Sequence, residues 1–286
     1  MDWLTTREVA AYLRLKERKI YDLVARGQIP CVRITGKWLF ARPQIDAWLL
    51  EHGEGQRPRA TPPDVIAGSH DPLLDFAVRE SGSGLAVLFE GSLAGIERFA
   101  AGGALACGLH VPDAEEGSHN LALVRERFGA APVVLLEWAR REQGLIVAPG
   151  NPLGLAGITD LARARHVARQ PGAGSRLLFD RLVASADVAL PAPVAEVGSE
   201  TEVALAVSEG RADAGLGLHA VARQFRLDFV PLRRERYDLL VDRRAWFEPA
   251  LQRLFAFARG SAFTARAGET AGYDVAELGR VHFNGP

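Results

Sequence analysis

The sequence predicts two domains, a small helical domain with a β-hairpin and a larger α/β domain. The chain has 286 residues, a length that corresponds to about two domains. The stretch 51–64 is rich in Gly, Pro and charged residues and lacks apolar periodicity, so it predicts a linker. Helical spacing precedes this stretch, whereas short apolar runs alternate with amphipathic segments after it. The predicted boundaries are 1–51 for the first domain, 52–64 for the linker and 65–286 for the second domain.

The composition is that of a soluble globular protein. Hydrophobic residues make up 48% and charged residues 24% of the chain, which excludes a disordered or collagen-like chain. The apolar run at 131–136 is far shorter than the roughly 18 residues of a membrane span. The N-terminus has neither the basic start nor the apolar segment of a signal peptide, and Cys31 and Cys107 have no motif spacing. We therefore expect a cytoplasmic protein that has no contact with a membrane.

The charge is distributed unequally between the two predicted domains. Residues 1–59 contain 11 Lys and Arg against 7 Asp and Glu, a balance of +4. The rest of the chain contains 23 against 28, a balance of −5. A basic segment beside an acidic one indicates a nucleic-acid contact in the basic segment.

Local signals place each element of the first domain. Thr5 and Glu8 have the spacing of a capping box, which predicts the start of the first helix. Apolar spacing predicts a second helix over 17–26, which the following Gly ends. Two β-like runs, 31–34 and 38–41, are separated by Thr-Gly-Lys and predict a hairpin, and a third helix follows.

Two helices, a hairpin and a third helix form a layout typical of DNA-binding domains. In this layout the second helix enters the major groove, and the hairpin lies over the phosphate backbone. The alternative is a small protein-interaction domain whose basic residues are merely solvated. The predicted DNA-binding residues are Lys16, Arg18, Lys19, Tyr21, Arg33 and Lys37.

The segment 5–49 resembles a known DNA-binding family. It reads TTREVAAYLRLKERKIYDLVARGQIPCVRITGKWLFARPQIDAWL. Its opening Thr-x-x-Glu-Val-Ala, its Gly-x-Ile-Pro and its closing Asp-x-Trp-Leu resemble those of the excisionase-type, MerR-related winged helix-turn-helix. The resemblance implies binding to double-stranded DNA with the hairpin as the wing. Because one such domain of about 50 residues grips a single half-site, we expect a homodimer.

The second domain reads as α/β. Its strand-like runs lie at 65–67, 85–89, 133–136, 145–147, 166–168 and 214–216. Several of these runs are followed by a turn that is rich in Gly and Ser and opens a helix. The turns lie at 68–72, 91–92, 169–176 and 198–200, and a helix is expected to begin near residue 177.

Such turns are suited to binding an anion. Ligands of open α/β sheets bind beyond the carboxyl ends of the strands, where helix N-termini offer unpaired amides. Glycine lets the backbone approach an anion, and Ser hydroxyls and Arg guanidinium groups add donors. A Ser at one such turn is also an ordinary helix cap, so the prediction depends on several turns converging.

The alternation of strand, turn and helix resembles the type II periplasmic-binding-protein fold, as found in cytoplasmic sensor domains. RQPGAGSRLLFD at 169–180 resembles the ligand-binding turn of these domains, and GRADAGLG at 210–217 resembles a strand before the return to the first lobe. The resemblance implies two lobes around a small anion. Similar domains fused to this type of winged helix are linked with molybdate and tungstate. The candidate ligand-binding residues are Ser69, His70, Ser92, Asn151, Arg169, Gly174, Ser175, Arg176 and Tyr237.

The motifs of common enzyme classes are missing from the sequence. There is no His-Glu-x-x-His, no Gly-x-Ser-x-Gly, and no P-loop lysine after the glycines at 172–174. We therefore expect neither a catalytic site, a metal site nor a covalent cofactor. The leading hypothesis is a transcriptional regulator that responds to a small anion. The alternatives are an excisionase-like architectural DNA-binding protein, whose α/β domain is an interaction module, and an enzyme that uses the anion site.

Overall fold

The computed structural model describes residues 3–52, 62–113 and 118–286. It divides the chain into two compact units, Met1–Ala60 and Thr61–Pro286. Most of the predicted linker at 52–64 lies outside the described residues.

The first unit contains the helices and the hairpin that the sequence predicts. Its elements are β1 (Trp3–Thr5), α1 (Thr6–Tyr12), α2 (Glu17–Ala25), β2 (Val32–Ile34), β3 (Lys37–Ala41) and α3 (Arg42–His52). The capping box is present, because the Glu8 carboxylate accepts from the Thr5 amide at 2.7 Å and the Thr5 hydroxyl accepts from the Glu8 amide at 3.4 Å. Strands β1, β3 and β2 form an antiparallel sheet in that order. Ile20, Phe40 and Ile45 are fully buried where the helices pack on this sheet.

The second unit is an α/β structure with eight described helices and ten described strands. The strands are β4 (Val65–Gly68), β5 (Ala86–Phe89), β6 (Ala106–Leu109), β7 (Val133–Val147), β8 (His166–Arg169), β9 (Ala195–Val197), β10 (Ala214–Leu218), β11 (Asp228–Asp242), β12 (Tyr273–Asp274) and β13 (Val281–Asn284). The helices are α4 (Pro72–Glu80), α5 (Ser92–Ala100), α6 (Leu121–Phe128), α7 (Gly174–Ser185), α8 (Glu200–Ser208), α9 (His219–Gln224), α10 (Pro249–Ala258) and α11 (Ser261–Glu269).

Two long strands join two lobes in this unit. The sheet order is β5-β4-β6-β11-β7-β10-β8-β9, with β12 and β13 also paired to β7. We call the half that contains β4, β5 and β6 lobe 1, and the half that contains β8, β9 and β10 lobe 2. Strands β7 and β11 are 15 residues each and pair with each other along both lobes, with register shifts at 231–233 and 237–238.

Each lobe has its own apolar core. In lobe 1, Ile66, Leu74 and Trp138 are buried together. In lobe 2, Val167 and Val203 pack on one face of the sheet, whereas other residues fill the opposite face. One sheet thus runs through both lobes, but the apolar cores are separate. Buried polar residues lie on β7 and β11, the two long strands that join the lobes.

The structure corrects three details of the predicted secondary structure. The runs 133–136 and 145–147 are parts of the single strand β7, in which the intervening Glu137, Arg141 and Gln143 are buried and bonded within the protein. Strands β11, β12 and β13 of this unit have no counterpart among the predicted runs. Helix α7 begins at Gly174 instead of near 177, so Gly174 and Ser175 lie in its first turn. None of the helices in the described part of the chain is both long enough and apolar enough to cross a membrane.

Candidate functional site

A polar cavity of about 240 Å³ lies between the two lobes of the second unit. It is formed beyond the carboxyl ends of β4, β5, β6, β8 and β9, as expected for a ligand site in an α/β sheet. Its lining contains Ser, His, Arg and Glu side chains together with the glycines of the turns. The lining residues are Ser69, His70, Phe89, Gly91, His110, Arg169, Ala173, Ser175, Gly198, Ser199, Glu200 and Thr201.

Two hydrogen-bonded serines, Ser69 and Ser92, lie on the lobe 1 side, and Ser69 lines the cavity. Ser69 follows β4 and Ser92 begins α5, and their Oγ atoms lie 2.8 Å apart. The Ser92 Oγ also accepts a hydrogen bond from the His110 amide at 3.4 Å. The buried Tyr237 hydroxyl donates to the Ser69 carbonyl at 2.6 Å. Burial raises the pKa of Tyr237, so this phenol stays a neutral donor that positions the Ser69 turn. Tyr237 itself does not line the cavity.

His110 occupies the junction between the lobes. Its Nδ1 atom lies 3.1 Å from Glu235 Oε2, and only 3% of the residue is exposed. The other side of the ring faces the start of α7, where a Cβ added to Gly174 would lie 2.6 Å from His110 Nε2. Nearby, the Leu93 amide donates to the Gly172 carbonyl at 3.4 Å. The lobes therefore touch along α5 and the turn at 170–174.

Ser175 and Arg169 supply hydrogen-bond donors on the lobe 2 side of the cavity. Ser175 lies in the first turn of α7, where backbone amides have no intrahelical acceptor. Its hydroxyl is buried and has no hydrogen-bond partner in the described part of the protein. Arg169 ends β8, and its guanidinium donates to Gln170 Oε1 at 3.1 Å and to the Gly198 carbonyl at 2.9 Å. Burial lowers the pKa of Arg169 below its usual value. Hydroxyl, amide and guanidinium donors thus face one side of the cavity.

A chain of buried polar groups runs between the lobes beside the cavity. The Arg141 guanidinium lies 2.8 Å from Asp71 Oδ2 and 2.6 Å from Glu235 Oε1. The Gln143 amide nitrogen lies 3.1 Å from Glu235 Oε1 and 3.3 Å from Glu200 Oε1. Burial opposes ionisation of Glu235, but the charges of His110 and Arg141 outweigh it and lower its pKa well below the usual range. This network links α4 in lobe 1 to α8 in lobe 2 through β7 and β11.

Several sequence-predicted residues lie together at this cavity. Ser69, His70, Arg169 and Ser175 line it. Ser92 contacts the Ser69 hydroxyl, Gly174 lies against His110, and Tyr237 lies behind Ser69.

Asn151 and Arg176 are placed elsewhere. The Asn151 side chain bonds both backbone groups of Leu155, with its Oδ1 accepting at 3.0 Å and its Nδ2 donating at 2.8 Å, so it caps a turn outside the cavity. The Arg176 guanidinium does not line the cavity and pairs with Asp180 and Glu196 at 2.9 Å each.

The sequence did not indicate the buried polar network beside the cavity. Glu200, Gln143, Glu235 and Arg141 were not predicted as site residues. The available signal was the polar stretch 140–143 inside an apolar run, together with a Glu directly after the Gly-Ser turn at 198–199. Each signal also fits a solvated loop or a helix cap, and only the fold brings them together.

The first unit carries the predicted DNA-binding residues on its surface. Lys16, Arg18, Lys19 and Tyr21 are exposed on or beside α2. Arg33 and Lys37 are exposed on the hairpin, and the Arg33 guanidinium lies 5.3 Å from the centre of the Trp38 ring. Among the residues that the structure describes, no group of three His, Cys, Asp or Glu side chains is placed to hold a metal ion.

Comparison with protein families agrees with this two-part architecture. The model of the PBP superfamily domain matches residues 74–259, which is more than half of the chain. The chain belongs to the PBP superfamily. The model of a helix-turn-helix domain matches residues 3–53. A helix-turn-helix domain indicates DNA binding, and a PBP domain indicates binding of a small solute.

Similar proteins cover either the whole chain or one part of it. YvgK of Bacillus subtilis is 27% identical over 97% of this chain and 96% of its own length. A Clostridium pasteurianum protein, named for the 5′ region of a 2Fe-2S ferredoxin gene, is 30% identical over 30% of this chain and 77% of its own length.

Two solved structures share the fold of the PBP-superfamily unit. A putative phosphate-transporter substrate-binding protein from Clostridium perfringens, with bound phosphate, has a TM-score of 0.53 at 11% identity, covering 75% of this chain and 98% of its own. The tungstate ABC transporter protein from Geobacter sulfurreducens has a TM-score of 0.52 at 15% identity, covering 72% and 97%. At these identities the similarity concerns the fold.

Proposed function

We propose that the protein is a cytoplasmic transcriptional regulator that binds DNA through its helix-turn-helix unit and senses a small anion in the cavity between the lobes. The observation that carries this proposal is the Ser175 hydroxyl, which is buried at the N-terminus of α7 and has no partner among the residues that the structure describes. This hydroxyl lines the cavity of a solute-binding fold. The helix-turn-helix domain in the same chain would allow ligand binding to change the affinity for DNA.

The donors around the cavity support a small anion as the ligand. Ser175 and Arg169 from lobe 2 face Ser69 and His110 from lobe 1. Helix N-termini and hydroxyls stabilise an anion without a full positive charge. Molybdate and tungstate are the ligands that the family resemblance implies, and they are therefore the first candidates to test.

Differential affinity for two arrangements of the lobes would couple ligand binding to DNA binding. A ligand that contacts both lobes favours the arrangement in which they are close, and this shifts the equilibrium between the two states. In a homodimer, the shift would change the affinity for a two-part operator. Neither a catalytic group nor a covalent cofactor is needed for this role.

Replacement of Ser175 by Ala tests the ligand-binding half of the proposal. We expect S175A to be at least as stable as the wild type, because it removes a buried hydroxyl that has no partner within the described ranges. The same change should weaken anion binding by roughly 5- to 30-fold, the equivalent of one hydrogen bond of about 1–2 kcal/mol. Thermal shift with molybdate, tungstate, sulfate, phosphate and carboxylates measures both effects, since a ligand at about 100 times its Kd adds roughly 2.7 kcal/mol.

The control is S185A, which removes an exposed hydroxyl from the last turn of the same helix. It should leave both stability and ligand response unchanged. Equal ligand responses of S175A and the wild type would remove Ser175 from the site.

Replacement of Arg18 and Lys19 by Ala tests the DNA-binding half. The double variant should bind the DNA upstream of its own gene more weakly, because each residue neutralises a phosphate or contacts a base edge. If both contact phosphates, the slope of log K against log salt should decrease by about 2. Electrophoretic mobility shifts at several salt concentrations measure this slope.

The variant R253A makes the same kind of charge change on an exposed residue of the PBP-superfamily unit. Its DNA affinity should equal that of the wild type. Unchanged binding and salt slope in the Arg18 and Lys19 variant would place the DNA interface elsewhere.

An excisionase-like architectural role is the second candidate, because the N-terminal segment resembles that family and matches a helix-turn-helix model. In this case the PBP-superfamily unit serves as an interaction module. DNA bending that is insensitive to all tested anions would favour this role over that of a sensor.

A further inference from the structure

Glu200 places an unpartnered acceptor at the cavity. It is the first residue of α8, is 5% exposed and lines the cavity. Its Oε1 atom lies 3.3 Å from the Gln143 amide nitrogen, whereas its Oε2 atom is buried without a hydrogen-bond partner in the described part of the chain. A buried carboxylate oxygen without a donor is costly, so a donor from the ligand would stabilise it.

The carboxylate of Glu200 opposes a dianion in this cavity. Arg141 is already held between two carboxylates, Asp71 and Glu235. Among the described residues that line the cavity, Arg169 is the one arginine, and the carboxylate of Glu200 lines the same cavity. An anion with two charges and no proton would therefore meet one guanidinium and one opposing carboxylate.

The cavity also exceeds the size of a tetrahedral oxyanion. Its volume of about 240 Å³ equals roughly eight waters at about 30 Å³ each. Past His70 and Thr201 it borders a wider groove of about 660 Å³ that both residues also line. The space accommodates an anion that carries additional atoms.

We propose that Glu200 accepts a hydrogen bond from the ligand and thereby selects an anion that also carries a donor. The donor is a proton on the anion itself, as in monohydrogen phosphate, or a hydroxyl or ammonium group beside a carboxylate. Ser175 and Arg169 hold the negative oxygens, and Glu200 holds the donor. This inference rests on the proposed function and specifies its ligand class. It disfavours molybdate, tungstate and sulfate, which carry no proton at neutral pH.

The variant E200Q tests the role of the carboxylate. Its amide presents a donor where the wild type presents an acceptor, with almost unchanged shape. Titration calorimetry of the full chain uses inorganic phosphate, glycolate, glycine, molybdate and sulfate as probes at neutral pH. Wild type should bind at least one of the first three probes at least tenfold more tightly than molybdate or sulfate. The probe that binds identifies whether the donor is a phosphate proton, a hydroxyl or an ammonium group.

In E200Q this preference should decrease at least tenfold, and the affinity for molybdate or sulfate should rise. The variant E200D keeps the carboxylate and should keep the order of preference, which provides a second test if E200Q folds poorly. The control E209Q makes the same change at the exposed end of α8 and should behave as the wild type does.

The outcomes separate this inference from the proposed function. Selective binding of molybdate or sulfate by the wild type would overturn the role of Glu200 and leave the anion sensor intact. Equal affinities of the wild type and E200Q for every probe would also overturn it. Absence of binding by all variants would overturn both the inference and the sensing half of the proposed function.

Discussion

Replacement of Arg141 by Met is expected to lower the free energy of unfolding of the PBP-superfamily unit by about 3–5 kcal/mol. Arg141 is completely buried between Asp71 and Glu235, and its guanidinium lies 4.5 Å from the centre of the Tyr237 ring. Met fills much of the same volume but leaves two buried carboxylates without their cation. Urea denaturation followed by circular dichroism measures the loss.

R127M is the matched control for this prediction. Arg127 forms an ion pair with Glu97 at 2.7 Å, and both side chains are more than a third exposed. Solvent screens such a pair, so its loss should change the free energy of unfolding by no more than about 1 kcal/mol. Similar effects of R127M and R141M would show that the buried network does not contribute as the contacts indicate.

The pH dependence of R141M gives an independent check. Burial opposes ionisation of Glu235, but His110 and Arg141 lower its pKa well below that of an unfolded Glu, which is about 4.3. Glu235 therefore stabilises the wild type above about pH 4, and this contribution decreases as the pH falls toward its folded pKa. Removal of Arg141 takes away one of the charges that lower the pKa of Glu235, so this pKa should rise toward its unfolded value. The free energy of unfolding of R141M should therefore decrease less than that of the wild type over the same pH range.

Local signals made much of the first unit predictable from sequence. The capping box of Thr5 and Glu8 and the Thr-Gly-Lys turn of the hairpin each depend on residues within a few positions of one another. Such signals act through the backbone of one segment, so the rest of the fold scarcely alters them.

Strand β7 shows where local reasoning fails. Its central residues 140–143 are Arg, Arg, Glu and Gln, a sequence typical of an exposed turn. Arg141 and Gln143 are nevertheless buried, because Asp71, Glu200 and Glu235, up to 94 positions away, pair with them. No pattern within the segment could reveal those partners.

The same distinction separates the candidate site residues. Ser69, Arg169 and Ser175 lie at the cavity because a Gly-rich turn after a strand places its residues at the ligand edge of the sheet. Arg176 belongs to the same turn, but it has partners nearby, such as Asp180 one helical turn later. Sequence thus locates the turns, whereas competition for partners decides which side chains face the cavity.

Replacement of Gly174 by Ala should hold the lobes apart and weaken ligand binding without destabilising the unit. An added Cβ would lie 2.6 Å from both Cε1 and Nε2 of His110, and Glu235 and the surrounding burial restrain that ring. Overpacking of this kind costs about 1–3 kcal/mol, which is equivalent to roughly a 5- to 150-fold loss of the close arrangement. Helix α7 itself would gain up to about 1 kcal/mol, because Ala favours helices over Gly.

Hydrogen exchange of the full chain can detect this separation before any ligand is known. The Leu93 amide donates to the Gly172 carbonyl of the opposite lobe at 3.4 Å, so its protection reports how often the lobes meet. We expect that protection to decrease about 5-fold or more in G174A. Anions that stabilise the wild type should stabilise the variant less. G268A is the control, because it adds a methyl group to helix α11 where nothing lies within 4 Å. Unchanged protection of Leu93 in G174A would show that the His110 ring moves aside, and that Gly174 does not set the distance between the lobes.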